Sequence, residues 1–553
     1  MCGIWVYVNG KNQHRTLSDT TTVKCVNTLS NRGPESSVIQ QYKHVILGFC
    51  RLAINDLSPA GMQPMSQNGV HWICNGEIYN WKELRDRLGI QCSSASDCSI
   101  LGPLWEYFNK NPIQFFRALD GVFALAIYDE KSGMLVVGRD PYGVRPLFKG
   151  YSNFDGDLCF GSEIKSLIRV SDKIQPILPG HFLIINAEEN IELSCQKYHT
   201  IPWLKNPIWS PQYEHGLERA CEAIRESLRI AVRKRLMTER PIAALLSGGV
   251  DSSLICALLQ SELKRAGVTV PLKTFSIGFE GSPDLFHARL VAGHIGSDHT
   301  EIKVAPQDFI SAIPEVIRTI ESYDITTVRA SVGNWMVARE IRGLTDCKVV
   351  FNGDGSDEIF GSYLYFFRAP SDEAFEAESA RLLEDIHLYD VLRSDRSISS
   401  HGLEPRTPYL DKQFVAVARA VCTQWRRPVS NGTGEYPSVE KWILRKAFSE
   451  TGLLPDAVLW RQKEAFSDGV SRTGTEQPWY KQLSSFVSGI DNWADKSEEF
   501  THLKPITAEA YYYRSIFESI YGSGCKNIIK YFWMPKWSGE TGDPSARTLS
   551  IYK

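Results

Sequence analysis

Two groups of residues in this 553-residue chain have the types and spacing to do chemistry. The first is Cys2, directly after Met1. Removal of that Met would leave a thiol and a free α-amine on one residue, with an unperturbed amine pKa of roughly 7.7 to 8.0. Such an amine can serve as the thiol's own base, so no separate His is required. The second is the run Ser247, Gly248, Gly249, Val250, Asp251, Ser252, Ser253, set between an apolar stretch at 242–246 and an apolar helical run. Strand, glycine turn and helix together place backbone N–H groups around an anion at a helix N-terminus. No Lys follows the glycines as GxxxxGK[ST] requires, which excludes a Walker loop. Taken alone, such a turn is more often an N-cap and a tight turn.

The elements that must position these residues change character along the chain. Up to about residue 195, GIWVYV, HVILGF, VHWICNG, FALAIYD, MLVVGRD and HFLIIN are short apolar or alternating segments, which predict an α+β domain of antiparallel β layers over residues 1–200. From Leu217, apolar residues fall at helical spacing through Ala220, Ile224, Leu228 and Val232. Strand-like IAALLS, TFSIGF and KVVFNG then alternate with helical stretches, which predicts an α/β domain with a parallel sheet over residues 217–553. The intervening 201–216 holds three Pro and no periodicity, and reads as a linker packed through Trp203 and Trp209. The Trp- and Tyr-rich stretch from Gly474 is expected to wrap the second domain.

Composition narrows the class. With 61 Lys+Arg against 64 Asp+Glu, the chain has no net field to gather nucleic acid or anionic lipid. No apolar stretch approaches the roughly 18 to 20 residues of a membrane span, and the N-terminus lacks a basic segment followed by a long apolar one. The 13 Cys form no C-x-x-C pair and no zinc-spaced cluster, which reads as reduced thiols in the cytoplasm.

MCGIW, FCRLAINDLSPAGMQPM, NGEIYN, LDGVFA and GRDPYGVRPLF occur in that order within about 150 residues. Together they resemble the glutaminase domain of class II amidotransferases, an N-terminal nucleophile fold. The resemblance implies that Cys2 attacks the glutamine side-chain amide while Asn75 and the Gly76 N–H hold the oxyanion. It implies Arg51 on the glutamine carboxylate, and Glu77 and Asp97 about its ammonium. Asn31 and Cys50 depart from the usual His at each place.

SGGVDSS resembles the pyrophosphatase-type loop of adenylating enzymes. With SPDL, ESYDITTVRAS, NGDGSDE and WRQKEAFSDGV the similarity extends over essentially the whole chain, to glutamine-hydrolysing asparagine synthetase. That resemblance implies an ATP site of Leu246, Ser247, Gly248, Gly249, Asp251, Ser252, Ser253, Ile277, Asn352 and Gly353. It further implies Mg²⁺ on Asp251 and Asp357, aspartate on Arg329, and catalytic roles for Lys463 and Asp354. Asp354 stands where relatives carry Glu, Asn352 where they carry Ser, and Ser362 where Gly is common. The implied partners are small molecules, namely glutamine, aspartate and ATP, with no nucleic acid, no membrane, and a homodimer as an allowed assembly. Ammonia from the first site would pass to an aspartyl adenylate at the second. Two other readings stay open: an adenylating relative with another acceptor, and a non-catalytic protein that kept the fold.

Overall fold

A computed structural model describes the chain except for residues 11–16, 153–155, 204–205, 430–436, 465–469, 471–478, 540–541, 543 and 545–553. All six strands expected in the first 200 residues form, and further short or polar strands complete two antiparallel sheets of six. One sheet runs Ser171–Pro176, Phe148–Ser152, Leu158–Gly161, Gly3–Val8, Val45–Arg51, Ser36–Gln41 in space. The other runs Ile191–Lys197, His181–Asn186, Met134–Arg139, Gly121–Asp129, Val70–Ile78, Met65–Gln67.

Period-two alternation explains how the sheets stack. Ile4, Val6 and Val8 pack with Val45, Leu47, Phe49, Ala124 and Ala126 between the sheets, while Trp5 and Tyr7 face outward onto helix Asp19–Asn27. On the far side Trp72, Cys74 and Ile78 meet helices Trp81–Leu88, Leu101–Tyr107 and Pro112–Ala118. The first domain is therefore a sandwich of two sheets with helices outside both. Strands buried on both faces are why these segments read as near-continuous apolar runs.

The second domain holds a five-stranded parallel sheet in the order Asp298–Lys303, Lys273–Gly278, Ile242–Leu245, Val349–Phe351, Glu404–Arg406. From Ile242–Leu245 the chain goes first to one neighbour and later to the other. This makes the C-terminal end of that strand the topological switch point, where such sheets bind ligands. Helix Gly216–Lys234 opens the domain with Ala220, Ile224, Leu228 and Val232 buried, as its spacing predicts. In the segment before it, Trp209 packs and bridges to Val421, but Trp203 is 63% exposed, so only one of the two tryptophans anchors the linker.

The C-terminal helix Ala508–Tyr521 packs on Pro306–Ile320, and residues 523–528 reach strand Ser171–Pro176 of the first domain. The tail thus straps both domains rather than one. Part of WRQKEAFSDGV falls outside the described residues.

Candidate active sites

The first site begins where strand Gly3–Val8 starts. Register pairs Gly3 with Cys50, which brings Arg51 beside Cys2 across the sheet edge. A cavity of about 30 Å³ is lined by Cys2, Arg51, Gly76, Glu77, Asp97 and, from the second domain, Glu404. The Cys2 thiol lies 3.6 Å from the Leu52 carbonyl, and burial pushes it up to about 11. Burial also brings the Met1 α-amine down to about 6, so the amine nearest the thiol is a neutral base at neutral pH. With Met1 in place that amine belongs to Met1; the expected self-activation needs its removal.

Asn75 is fully buried, and neither polar atom of its amide has a partner. An orphaned donor in the interior costs free energy unless a ligand completes it. Gly76 is required here because a Cβ would lie 2.1 Å from the Val122 carbonyl oxygen. Arg51 donates to the carbonyls of Asp56 at 2.5 Å and Ser58 at 3.0 Å, which fixes the following loop and aims the guanidinium. Asp97 accepts from the Ile78 N–H at 2.7 Å, and burial pushes it up to about 6. Glu77, buried beside Glu404 and Asp97, is also held well above the carboxylate range, by burial first. Two reluctant carboxylates facing one pocket would both gain from an ammonium. Cys50 points to the other face, at the Val26 carbonyl, and does not line the cavity; Asn31 is exposed.

The second site sits at the switch point. A cavity of about 230 Å³ is lined by Leu246, Ser247, Gly249, Asp251, Ser252, Ile277, Asn352, Gly353, Asp354, Asp357 and Lys463. Gly248 in the turn and Ser253 in the first turn of helix Val250–Arg265 do not line the space. Gly248 has φ +76, and a Cβ there would meet the Ala288 nitrogen at 2.5 Å, so its role is to shape the loop. The turn is tied internally by the Ser252 hydroxyl, 3.1 Å from the Ser247 N–H.

Lys463 lies 2.6 Å from one Asp357 oxygen, and Lys441 lies 2.5 Å from the other while also pairing with Asp251. These two ammonium groups overcome burial and hold Asp357 far below the ordinary carboxylate range. Ser362 also donates its hydroxyl to Asp357, so the Ser in place of Gly adds a bond to this carboxylate. Among the described residues no three metal-ligating side chains converge on one point. Two carboxylates that already share one cation nonetheless suit Mg²⁺, which takes one or two carboxylates and completes its shell with phosphate and water.

Sequence reasoning missed Lys441, which follows no motif and is brought in by tertiary structure from a left-handed position, φ +57. It also missed Arg393, which lines the cavity 3.3 Å from Asp354 and 2.7 Å from Asp390. Arg329 departs from its expected placement. Its guanidinium is held by both oxygens of Glu509, at 2.7 and 2.5 Å, and it does not line the cavity.

The thiol cavity meets a buried ionic junction between the domains. Arg32 donates to the Cys2 carbonyl at 3.0 Å and pairs with Glu163 and with Asp395 of the second domain. Arg406 pairs with Glu404 at 2.9 Å and reaches Glu77 at 3.5 Å.

A thiol at the chain start in an N-terminal sandwich, joined to a parallel-sheet domain with a glycine loop at its switch point, defines a class II glutamine amidotransferase fused to a synthetase. The glutamine amidotransferase domain profile matches residues 1–199, and that of asparagine synthase matches 223–379 and 368–538. The asparagine synthetases [glutamine-hydrolyzing] of Cricetulus griseus and Homo sapiens are each 41% identical over 100% of this chain and 99% of their own length. The chain belongs to the glutamine-hydrolysing asparagine synthetases, ATP-dependent ligases with glutamine as nitrogen donor. Among solved structures, the allosteric regulatory enzyme of purine biosynthesis is 14% identical, with a TM-score of 0.32 over 55% of this chain and 90% of that one. Likeness at that level carries no weight for fold or function.

Proposed function

We propose that the chain converts aspartate, glutamine and ATP to asparagine, glutamate, AMP and pyrophosphate, with the work divided between the two cavities. Cys2 attacks the glutamine amide, the Asn75 amide and Gly76 N–H take the developing oxyanion, and Arg51, Glu77 and Asp97 hold the amino-acid end. At the second cavity the Gly248–Gly249 turn and the start of helix Val250–Arg265 receive the triphosphate. Asp251 and Asp357 would hold Mg²⁺, which supplies charge neutralisation to the phosphates when bound. Lys463 and Lys441 offset charge on the departing pyrophosphate. Adenylation turns a poor carboxylate leaving group into AMP, which ammonia then displaces. Asp354 lies in this pocket beside Arg393, the guanidinium placed to meet an aspartate carboxylate; Arg329, committed to Glu509, would have to exchange partners to do so.

The observation that supports this reading is the junction. Glu404 lines the thiol cavity from a strand of the synthetase sheet, so both half-sites belong to one packed unit through which ammonia can avoid bulk water. The proposal includes the cytoplasm as compartment and no nucleic-acid partner. Among the described residues no helix is long and apolar enough to cross a membrane. Assembly as a homodimer is a separate proposal, decided by sedimentation.

The test is AMP and asparagine formation with glutamine or ammonium in parallel. Cys2→Ala is expected to abolish the glutamine-supported reaction and spare the ammonium-supported one. Loss of both, or of neither, overturns the division of labour.

A further inference from the structure

The thiol cavity, at about 30 Å³, is too small to admit glutamine without something moving aside, and the substrate must reach it by some route. A second, larger hollow of about 980 Å³ lies at the domain boundary, lined by Trp81, Lys82, Arg85 and Ala95 of the first domain and by Leu236 to Glu239 of the second. Among the described residues, one side chain lines both this cleft and the thiol cavity: Asn55.

Asn55 is also placed where a substrate group should be. Its Nδ2 donates to Glu77 Oε2 at 2.6 Å and is 3.3 Å from Asp97 Oδ1, so an amide N–H₂ joins the two carboxylates proposed to receive the glutamine ammonium. The backbone on either side of it is gripped from the other domain. The Glu239 N–H donates to the Ile54 carbonyl at 3.0 Å, and the Asp56 N–H donates to Glu239 Oε1 at 2.6 Å. Arg240 adds a bond from its Nε to the Ala53 carbonyl at 2.9 Å. Arg51 holds the Asp56 carbonyl from the cavity side. The main chain of residues 53–56 is thus fixed, and the Asn55 side chain is the part left to rotate.

We infer that the cleft is the route by which glutamine reaches Cys2 and that Asn55 is its gate. In the substrate-free site the Asn55 amide stands in for the ammonium and keeps two buried carboxylates satisfied. An arriving ammonium makes the stronger, charge-assisted bonds to the same oxygens and displaces the amide toward the cleft. Glu239 ties the gate's hinge to the synthetase domain. This inference rests on the reading of Glu77 and Asp97 as ammonium ligands.

The experiment compares parent, Asn55→Ala, Ala95→Trp, Asp97→Asn and Cys2→Ala in the full chain. It measures the KM for glutamine, the rate of Cys2 alkylation by a glutamine-analogue diazoketone, and ammonium-supported synthesis. Asn55→Ala removes the competing donor and is expected to lower the glutamine KM several-fold and quicken alkylation. Ala95→Trp places an indole in the cleft and narrows it near Asn55, and is expected to slow alkylation and depress kcat/KM for glutamine. Ammonium-supported synthesis should hold in both, which also reports that they fold. A glutamine KM unchanged or raised in Asn55→Ala, or alkylation undiminished in Ala95→Trp, overturns the gate. A glutamine KM at the parental value in Asp97→Asn would instead overturn the reading of Asp97 as an ammonium ligand, and glutamine-supported synthesis surviving in Cys2→Ala would overturn the thiol as nucleophile.

Discussion

At the residue scale, the two sites use burial in opposite ways. Asp97 is a carboxyl whose pKa burial raises to about 6, so below that pH its neutral form dominates and cannot hold an ammonium. The kcat/KM for glutamine is therefore expected to fall about tenfold per unit as pH drops below about 6, because this ratio reports groups of the free enzyme. Ammonium-supported synthesis should lack that limb; a profile flat down to pH 5 would remove Asp97 from ammonium recognition. Asp357 is shifted the other way by Lys441 and Lys463, and stays ionised throughout this range. Lys441→Met would leave Asp251 without that ammonium and Asp357 with Lys463 alone. Pyrophosphate release should drop by about 100-fold or more, the scale of losing a preorganised charge, while glutaminase turnover continues. Pyrophosphate release at the parental rate would return Lys441 to a purely structural role.

At the element scale, what matters is where strands end. Cys2 and Arg51 are neighbours because two antiparallel strands pair Gly3 with Cys50, and the phosphate turn exists because strand Ile242–Leu245 feeds helix Val250–Arg265 through a left-handed glycine. Gly248→Ala would force a Cβ into a left-handed position, at about 1 to 2 kcal/mol, and onto the Ala288 backbone as well. It is expected to lower the melting temperature and abolish ATP-dependent synthesis. The assignment fails if ATP still protects this variant against melting as it does the parent. Most of this was legible: apolar runs bounded by turns gave every expected strand, and the switch from period two to 3.6 at Leu217 fell within a residue of the helix start at Gly216. Strands such as Ser36–Gln41 escaped because an exposed edge strand has no apolar pattern to read.

At the scale of the whole molecule, the two domains are joined by buried charge. Arg32, with Glu163 and Asp395, forms ion pairs whose side chains are at most 3% exposed. Removing one member of such a set strands the others without water, a loss of about 3 to 5 kcal/mol. Arg32→Ala should show this as a lower melting temperature, and should impair glutaminase too, since Arg32 holds the Cys2 carbonyl. If Arg32→Ala melts with the parent, the junction does not hold the domains together.

Sequence alone determined the chemistry available and the order of its parts. A thiol at position 2, a glycine turn after a strand and a near-neutral composition are local facts, and ordered motifs carried most of the first-domain residues that line Cys2's cavity. Only the tertiary structure decided which distant groups share a cavity. Glu404, Lys441 and Arg393 carry no local signal, and Asn55 gains its role only from its partners, because a side chain's role there depends on which other element it meets. Arg329 shows the converse: its motif pointed to the substrate, but Glu509, 180 residues further along, took the Nε–Nη2 edge of its guanidinium with both carboxylate oxygens. Electrostatic pairing in a buried space is settled by proximity in three dimensions, which spacing along the chain does not encode.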